Sequence, residues 1–376
     1  MMATVNFIKY YSHKNGFYLK VYLDCSPLTN PQVSGIGVYN RNLFIGLKNQ
    51  LHGNIIPVLK WSRLSKASIV ESHLEEKVKP LPPILFNKKI IYHGTDHKLN
   101  TKALGPKVVT IHDMQPFVGK WMDTKFAQGR IEVMTKVLTS DVQRIIAISH
   151  FTKSEIIRFF PKVADKIDVV YHGHKFEMHK ILMPDPEVNI VKKIAQGNPF
   201  LFFIGNIEER KNLINQIKAF EILKSEHKNL VFILSGKDGY NFQEIKNYIS
   251  VSKFKNDIYL TGYLSEEEKE YALKNTSCLM FASWYEGFGF PLLEALAKNT
   301  NVVISQSSSL EELGKGICHL CDPSNPTDIA EKVSLIMKNG NLKNIEMSEF
   351  RKNWSWDKCA INTIEVYKKA SFASLV

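Results

Sequence analysis

Ten short apolar runs, separated by longer stretches of mixed polarity, constrain this chain more than any other feature. In the first half they are Phe17–Leu23, Ile90–His93, Val108–Ile111, Arg144–Ile148 and Ile167–Tyr171. In the second they are Phe200–Ile204, Leu230–Leu234, Ile258–Thr261, Cys278–Ala282 and Val302–Ser305. Runs this short and this apolar fit strands buried on both faces, and the stretches between them fit crossover helices. Repetition of that unit gives parallel sheets covered by helices, an α/β class. At 376 residues the chain is too long for one ordinary core, so two doubly wound, Rossmann-like domains are expected. Met178 to Pro199 holds Pro184, Pro186, Gly197 and Pro199 and reads as a linker with a short helix, hinged near 180–190. The division predicted is 1–183, 184–353 and a C-terminal segment 354–376, whose Trp354–Lys369 portion is amphipathic. Residues 62–89, polar, basic and bearing Pro80, Pro82 and Pro83, read as a mobile surface loop, and residues 1–15 as an extension. Thr152 with Glu155 and Ser265 with Glu268 have capping-box spacing and predict helix starts.

Charge narrows the partners. The net charge is +12, but residues 1–180 hold 26 Lys+Arg against 13 Asp+Glu, while residues 181–376 hold 23 against 24. A basic first half suggests an anionic partner: a membrane surface, an acidic or phosphorylated acceptor, or nucleic acid. The basic stretches lack interleaved aromatics and any reading motif, which argues against nucleic acid. No apolar run is long enough to span a bilayer, and no secretory signal is visible, so a cytoplasmic protein is expected, peripheral at most on the inner face of a membrane. Lys66, Lys77, Lys79, Lys88 and Lys89 cluster around the proline-bearing stretch and are the candidate contacts for anionic lipid. Five scattered cysteines argue against a disulfide framework. Cys318 and Cys321 have the gap of a metal pair, but no second pair exists, and Gly316-Ile317 and Leu320 around them read as a buried strand.

The chemistry concentrates in Ser283-Trp284-Tyr285-Glu286-Gly287-Phe288-Gly289-Phe290-Pro291-Leu292-Leu293-Glu294-Ala295. A strand feeds a glycine-rich turn, and the turn feeds a helix whose first position is expected at Pro291. The free N–H groups and the positive helix end suit phosphate oxygens or hydroxyls, and two carboxylates can grip diol pairs. A capped helix with two surface glutamates is the plainer alternative. Arg210 and Lys211 follow the Phe200–Ile204 strand and Gly205. Strand ends of a doubly wound sheet open into the binding crevice, where a guanidinium and an ammonium could hold a diphosphate. The other reading pairs them with Glu208 and Glu209 in solvent. Gly35 and Gly37 precede a helix-like run and would let backbone amides approach phosphate. His112 ends another apolar run, beside Asp113, and could equally cap its own loop. Gly236, Tyr263 and Leu264 follow two further strands, where a nucleobase would lie.

These segments resemble retaining glycosyltransferases of family 4, which have the GT-B fold. Besides the paired-glutamate motif, Ile204-Gly205-Asn206-Ile207-Glu208-Glu209-Arg210-Lys211-Asn212, Ser34-Gly35-Ile36-Gly37-Val38-Tyr39, Thr110-Ile111-His112-Asp113 and Ala147-Ile148-Ser149-His150-Phe151-Thr152-Lys153 are similar to its motifs, in order, over roughly residues 17 to 370. The details look closest to bacterial mannosyltransferase-like members. The resemblance implies a nucleoside diphosphate sugar as donor, GDP-mannose first and a UDP-sugar second, and a glycan or lipid-linked acceptor in cell-surface polysaccharide synthesis. It implies no cofactor and no metal. It assigns Arg210 and Lys211 to the diphosphate, Glu286 with the Gly287, Phe288 and Gly289 backbone to the transferred sugar, Glu294 to the ribose, and His112 to the face of the donor sugar. It also implies a C-terminal helix that crosses back to the first domain. One departure is Lys298-Asn299-Thr300-Asn301-Val302, where the family usually has Gly and Pro; Asn299 can supply the left-handed helix end. A sugar-nucleotide epimerase with the same architecture is the alternative. It would place acid and base groups around the anomeric carbon instead of an acceptor groove.

Overall fold

The computed structural model describes residues 19–81, 89–174, 189–339 and 347–373. Two wholly parallel sheets account for its strands. The first contains β1 (Lys20–Asp24), β2 (Ile55–Leu59), β3 (Lys79–Pro80), β4 (Ile90–Gly94), β5 (Lys107–Ile111), β6 (Arg144–Ala147) and β7 (Ile167–Val169). Its order is β3-β2-β1-β4-β5-β6-β7. The second contains β8 (Phe200–Ile204), β9 (Val231–Ser235), β10 (Ile258–Gly262), β11 (Cys278–Phe281), β12 (Val302–Ser305) and β13 (His319–Cys321), ordered β10-β9-β8-β11-β12-β13. Chain order reverses between β1 and β4 in one sheet and between β8 and β11 in the other. At such switch points the crossover helices diverge and leave a crevice beyond the strand ends. This is the two-domain GT-B arrangement.

The strands form where apolar runs can be buried from both sides. Phe202, Phe203, Phe232, Leu279 and Phe281 are fully buried between the helices of the second unit. Val21, Leu23, Ile91 and Val108 play that part in the first. The helix Trp356–Ala373 belongs to the first core: Cys359, Ala360, Val366, Tyr367 and Ala370 pack there. Tyr367 reaches inward, its hydroxyl 2.7 Å from His93 Nδ1, while His93 Nε2 lies 2.8 Å from Thr110 Oγ1.

Several expectations need correction. Residues 62–81 are not a loop: a 3-10 turn (Trp61–Lys66) leads into the helix Ala67–Leu74 and the edge strand β3. Val70 and Leu74 bury that helix, whose polar composition hid its short apolar stripe. Strand β2 contains Pro57, which masked it in the sequence. The helix predicted from Thr152 begins at His150, because Ser149 is the N-cap and accepts from the Thr152 amide. The Ser265–Glu268 capping box forms as expected. Asn299 adopts φ +55, a left-handed helix end without glycine. Cys318 and Cys321 are buried, and burial pushes the Cys318 thiol up to about 12. The N-terminal extension, Pro82, Pro83, Lys88 and the expected hinge at 180–188 lie outside the described residues. Among the described residues no helix is long and apolar enough to cross a membrane.

Candidate active site

The crevice of the second sheet is built around β8 and β11. Past Gly205 the chain makes a 3-10 turn, Glu209–Lys211, which ends on Asn212 at φ +58. Asn212 Nδ2 donates to the carbonyls of Ala282 (2.9 Å) and Pro323 (2.7 Å), pinning the turn against the end of β11. The Trp284 amide donates to the Arg210 carbonyl at 3.0 Å, and Arg210 donates to the Tyr285 carbonyl at 2.6 Å. Two loops distant in sequence therefore present their charges together. Lys211 Nζ is 2.5 Å from Glu286 Oε1, and Arg210 binds Glu286 Oε2 at 3.0 Å and Glu208 at 2.7 Å. All are largely buried; the Glu286 side chain is 8% exposed.

Burial alone would push the Glu286 carboxyl up, but Lys211 and Arg210 override it and hold it down at about 2. Burial also works against the Arg210 charge; Glu286 and Glu208 more than offset it and raise its proton affinity. For Lys211 burial wins: its ammonium is lowered, with Glu286 opposing and Arg210 adding to the effect. Lys211 is the softer of the two cations. Such a cluster can release its internal carboxylate and offer two fixed, desolvated positive groups to an incoming diphosphate.

The first unit closes directly over this loop. A Cβ on Gly287 would lie 2.0 Å from the His112 carbonyl oxygen, so only glycine allows that approach. Ser149 Oγ and Thr152 Oγ1 donate to the Gly287 carbonyl at 2.8 and 3.2 Å, and the Met114 amide donates to the Tyr285 hydroxyl at 3.1 Å. Glu312, from the helix Ser308–Gly314, accepts from the His150 and Phe151 amides, each at 2.9 Å, at the start of the helix His150–Phe159. Ser309, on the same helix as Glu312, sets its Oγ 2.9 and 2.6 Å from the carbonyl oxygens of Glu286 and Phe288.

The other predicted residues fall around this centre. The helix after the glycine turn starts at Phe290, one residue earlier than expected, so Pro291 is its second position and Glu294 its fifth. Glu294 is not free: Lys269 holds its Oε1 at 3.0 Å and also binds Glu266 at 2.8 Å. Gly236 crosses Gly205 so closely that a Cβ would come within 1.7 Å of the Gly205 oxygen. Tyr263 is 61% exposed, with Lys237 5.8 Å over its ring, whereas Leu264 is buried and has only its backbone to offer. The Phe288 ring packs into a cluster with His172, 4.7 Å between ring centres, leaving the backbone to face the turn. His112 Nε2 lies 2.9 Å from the Thr95 carbonyl, and burial lowers its proton affinity. Gly35 opens the helix Gly35–Leu51 and sits over Phe290 of the second unit, 3.5 Å from a would-be Cβ. The Gly37 amide donates to Ser34 Oγ at 3.3 Å, and a Cβ there would come within 2.6 Å of Val33.

The crevice of the first sheet holds a cavity of about 390 Å³, within the range of small-ligand clefts. Asp24 at the end of β1, Thr95 and Asp96 beyond β4, and Ser26, Thr29 and Arg63 line it. Asp24 accepts from the Tyr92 hydroxyl at 3.0 Å and the Ser26 amide at 2.9 Å, while Ser26 Oγ is buried without a partner. Sequence reasoning missed Asp24, Asp96, Lys269, Ser309 and Glu312. Asp24 and Asp96 close apolar runs much as His112-Asp113 does, and that rule could have found them. Nothing local marks the other three.

Residues 186–354 match the family model described as glycosyl transferases group 1. The chain is 28% identical over 294 residues to O-antigen chain mannosyltransferase B of Escherichia coli, covering 75% of this chain and 74% of the relative. It is 24% identical to the serotype-specific mannosyltransferase WbdA of the same organism, over 67% of this chain but only 34% of that longer protein. Among solved structures, Anabaena HepE in complex with UDP and glucose superposes with a TM-score of 0.67 at 14% identity, over 92% of this chain and 98% of HepE. Sucrose-phosphate synthase from Thermosynechococcus elongatus gives 0.66 at 14% identity, over 93% and 98%. The chain is a glycosyltransferase of the GT-B fold, whose residues 186–354 match the group 1 glycosyl transferases and whose relatives include O-antigen mannosyltransferases.

Proposed function

We propose that this enzyme is a retaining hexosyltransferase that moves mannose from GDP-mannose to a hydroxyl of a glycan or lipid-linked acceptor in cell-surface polysaccharide synthesis. The observation that carries the donor half is the buried Arg210–Lys211–Glu286 cluster at the β8/β11 switch point. Transfer breaks the bond between the sugar's anomeric carbon and the diphosphate, and the leaving group gains charge as that bond lengthens. Arg210 and Lys211 are preorganised to meet that charge, and fixed charges of this kind stabilise a transition state more than any other device such a site has. Once the diphosphate takes the two cations, Glu286 turns to the hydroxyls of the transferred sugar, beside the Gly287–Gly289 backbone. Glu294, steadied by Lys269, takes the ribose, and the Gly236 and Tyr263 region takes the base. The acceptor oxygen forms its bond to the anomeric carbon on the face the phosphate leaves, and its proton passes to the departing phosphate oxygen.

The polar cavity at the β1/β4 switch point supports an acceptor sugar on the first unit. His112 joins the two halves, since the Thr95 carbonyl that receives its Nε2 belongs to the cavity wall. In this division residues 1–183 hold the acceptor, 184–353 the donor, and 354–376 tie the two together. GDP-mannose is preferred because mannosyltransferases recur among the relatives; a UDP-sugar is the competing donor, since HepE was solved with UDP.

The test is a panel of GDP-mannose, UDP-glucose and UDP-N-acetylglucosamine. Thermal stabilisation, slow acceptor-independent hydrolysis and the anomeric form of the freshly released sugar are followed together. Stabilisation and hydrolysis by GDP-mannose, with release of the α-anomer, are expected. Release of the β-anomer would contradict retention, and a sugar isomerised while still nucleotide-linked would favour the epimerase reading. No response to any donor would overturn the proposal.

A further inference from the structure

One buried histidine stands where the two units meet the glycine turn. Residues 171–174 follow β7 at the end of the first unit, and residues 354–356 lead back into the helix Trp356–Ala373. The two segments lie side by side: the His174 amide donates to the Trp354 carbonyl at 2.6 Å, and a Cβ on Gly173 would come within 2.3 Å of the Trp356 nitrogen. His172, in the first of them, is 2% exposed. Its ring stacks on Phe290, with 5.1 Å between centres and the planes 4° apart, and meets Phe288 at 4.7 Å and 63°. Tyr39 at 4.5 Å, His112 at 5.5 Å and Trp356 at 6.0 Å also pack around it. Its Nδ1 is buried with no hydrogen-bond partner among the described residues, and burial holds its proton affinity well below the usual histidine range. Packing of the neutral ring, not charge, fixes it in place. Phe288 and Phe290 flank Gly289, whose φ of +120 bends the turn. Ser309 holds the Glu286 and Phe288 carbonyls of that turn, and His172 holds its two rings.

We infer that His172 is a positioning residue for sugar transfer. Its ring holds Phe288 and Phe290 so that the Gly287–Gly289 backbone faces the transferred sugar, and it acts through the turn instead of on the substrate. One side chain touching the turn, His112 and the returning segment at once carries this. Truncation would open a hole in the middle of this aromatic layer and free the rings of the turn to re-pack. A small misplacement of groups aimed at a reacting sugar costs rate far more than affinity. The Arg210–Lys211–Glu286 cluster has ion pairs of its own, so nucleotide binding should survive that loss. The inference rests on the reading of the glycine turn as the seat of the transferred sugar.

Two variants of the full chain separate the ring from the residue: His172→Ala removes the ring, and His172→Phe keeps a flat one. With the donor that the wild type hydrolyses, His172→Ala should lower kcat at least tenfold. Its affinity for free GDP or UDP should stay within twofold of wild type, which also shows that it folds. His172→Phe should keep kcat within threefold. Hydrogen exchange without nucleotide reads the positioning directly. Exchange should quicken at 286–290 in His172→Ala but not at 205–212, and His172→Phe should match the wild type. Normal turnover in His172→Ala overturns the inference, as does unchanged exchange at 286–290. A loss of nucleotide affinity as large as the loss of turnover would make the residue merely structural and overturn it too. A tenfold loss in His172→Phe would give the role to the ring nitrogen and overturn positioning by packing. If the wild type responds to no donor, the proposed function fails, and the exchange comparison still decides whether His172 holds the turn.

Discussion

At the β8/β11 crevice Arg210, Lys211 and Glu286 grip one another across the centre of the site, whereas at the β1/β4 crevice Asp24 and Asp96 are held by Tyr92, Ser26 and His97 at the wall of a cavity of about 390 Å³. The two crevices arise from the same topological reversal, so the difference lies in the side chains. Under the proposed division, the wall that receives a diphosphate keeps its cations desolvated and fixed, and Glu286 offsets their burial until the ligand arrives. The wall proposed to receive hydroxyls has no such need, and Asp24 and Asp96 line an open cavity there. A site can therefore be preorganised on one side and roomy on the other within a single fold.

The sharpest way to break this contrast is to remove a cation. Lys211→Ala or Arg210→Ala should lower kcat by about a hundredfold or more, roughly 3–4 kcal/mol of transition-state stabilisation. Each should also lower the melting temperature, because Glu286 then keeps a buried charge with one partner fewer. Near-normal turnover in either folded variant would remove the preorganised wall from the mechanism.

Acid should distinguish the walls next. His93, buried in the first unit, is lowered from 6.5 to about 3 by burial and by the nearby His112 charge. The unfolded chain binds a proton there below pH 6.5, while the folded one resists until about pH 3. Stability therefore falls across that window as pH drops, by about 3 kcal/mol between pH 6.5 and 4 from this group alone. Glu286 acts later: its stabilisation is complete above the ordinary carboxylate range and fades as pH falls toward about 2. Chemical denaturation of His93→Gln at several pH values should show a flatter decline between 6.5 and 4. An unchanged slope would contradict the neutral buried histidine.

A smaller effect sharpens the donor side. Glu294→Ala should weaken nucleoside diphosphate binding by about 1.5–3 kcal/mol, as loss of a charged hydrogen bond does. Lys269→Met should cost less, since the carboxylate remains but is no longer steadied. Both losses should shrink for the 2′-deoxy nucleotide in calorimetric titration, whereas Glu286→Ala should depress turnover instead. Equal losses on the ribo and deoxy forms would detach Glu294 from the ribose.

The smallest expected change is at the contact between units. Glu312→Gln keeps one carbonyl acceptor near the His150 and Phe151 amides, turns the other oxygen into a donor NH2 group, and removes the charge that favours a helix start. A cost of about 0.5–1 kcal/mol is expected in thermal unfolding, reduced at high salt. A salt-independent loss would point to packing instead.

The fold was legible because fully buried parallel strands leave an unmistakable apolar run, and both sheets follow from it. Strands β2 and β3 escaped, since Pro57 and Pro80 sit in them at positions where composition alone suggests a turn. The β8/β11 crevice was legible because its parts fall in two contiguous stretches, 205–212 and 283–295. The β1/β4 crevice was not. Asp24, Arg63 and Asp96 lie at or beyond the ends of β1, β2 and β4, and only the β2-β1-β4 adjacency brings them together. Lys269 and Glu312 were invisible for the same reason: each acts on a residue more than twenty positions away.

Hydrogen exchange of the whole chain, with and without saturating GDP or UDP, tests the division between the walls most directly. Slower exchange is expected at 205–212, 236–240 and 286–294, with no change at 24–34 and 95–98. Protection confined to 24–34 and 95–98, with 205–212 unaffected, would place the nucleotide on the wrong wall and contradict the assignment of donor and acceptor.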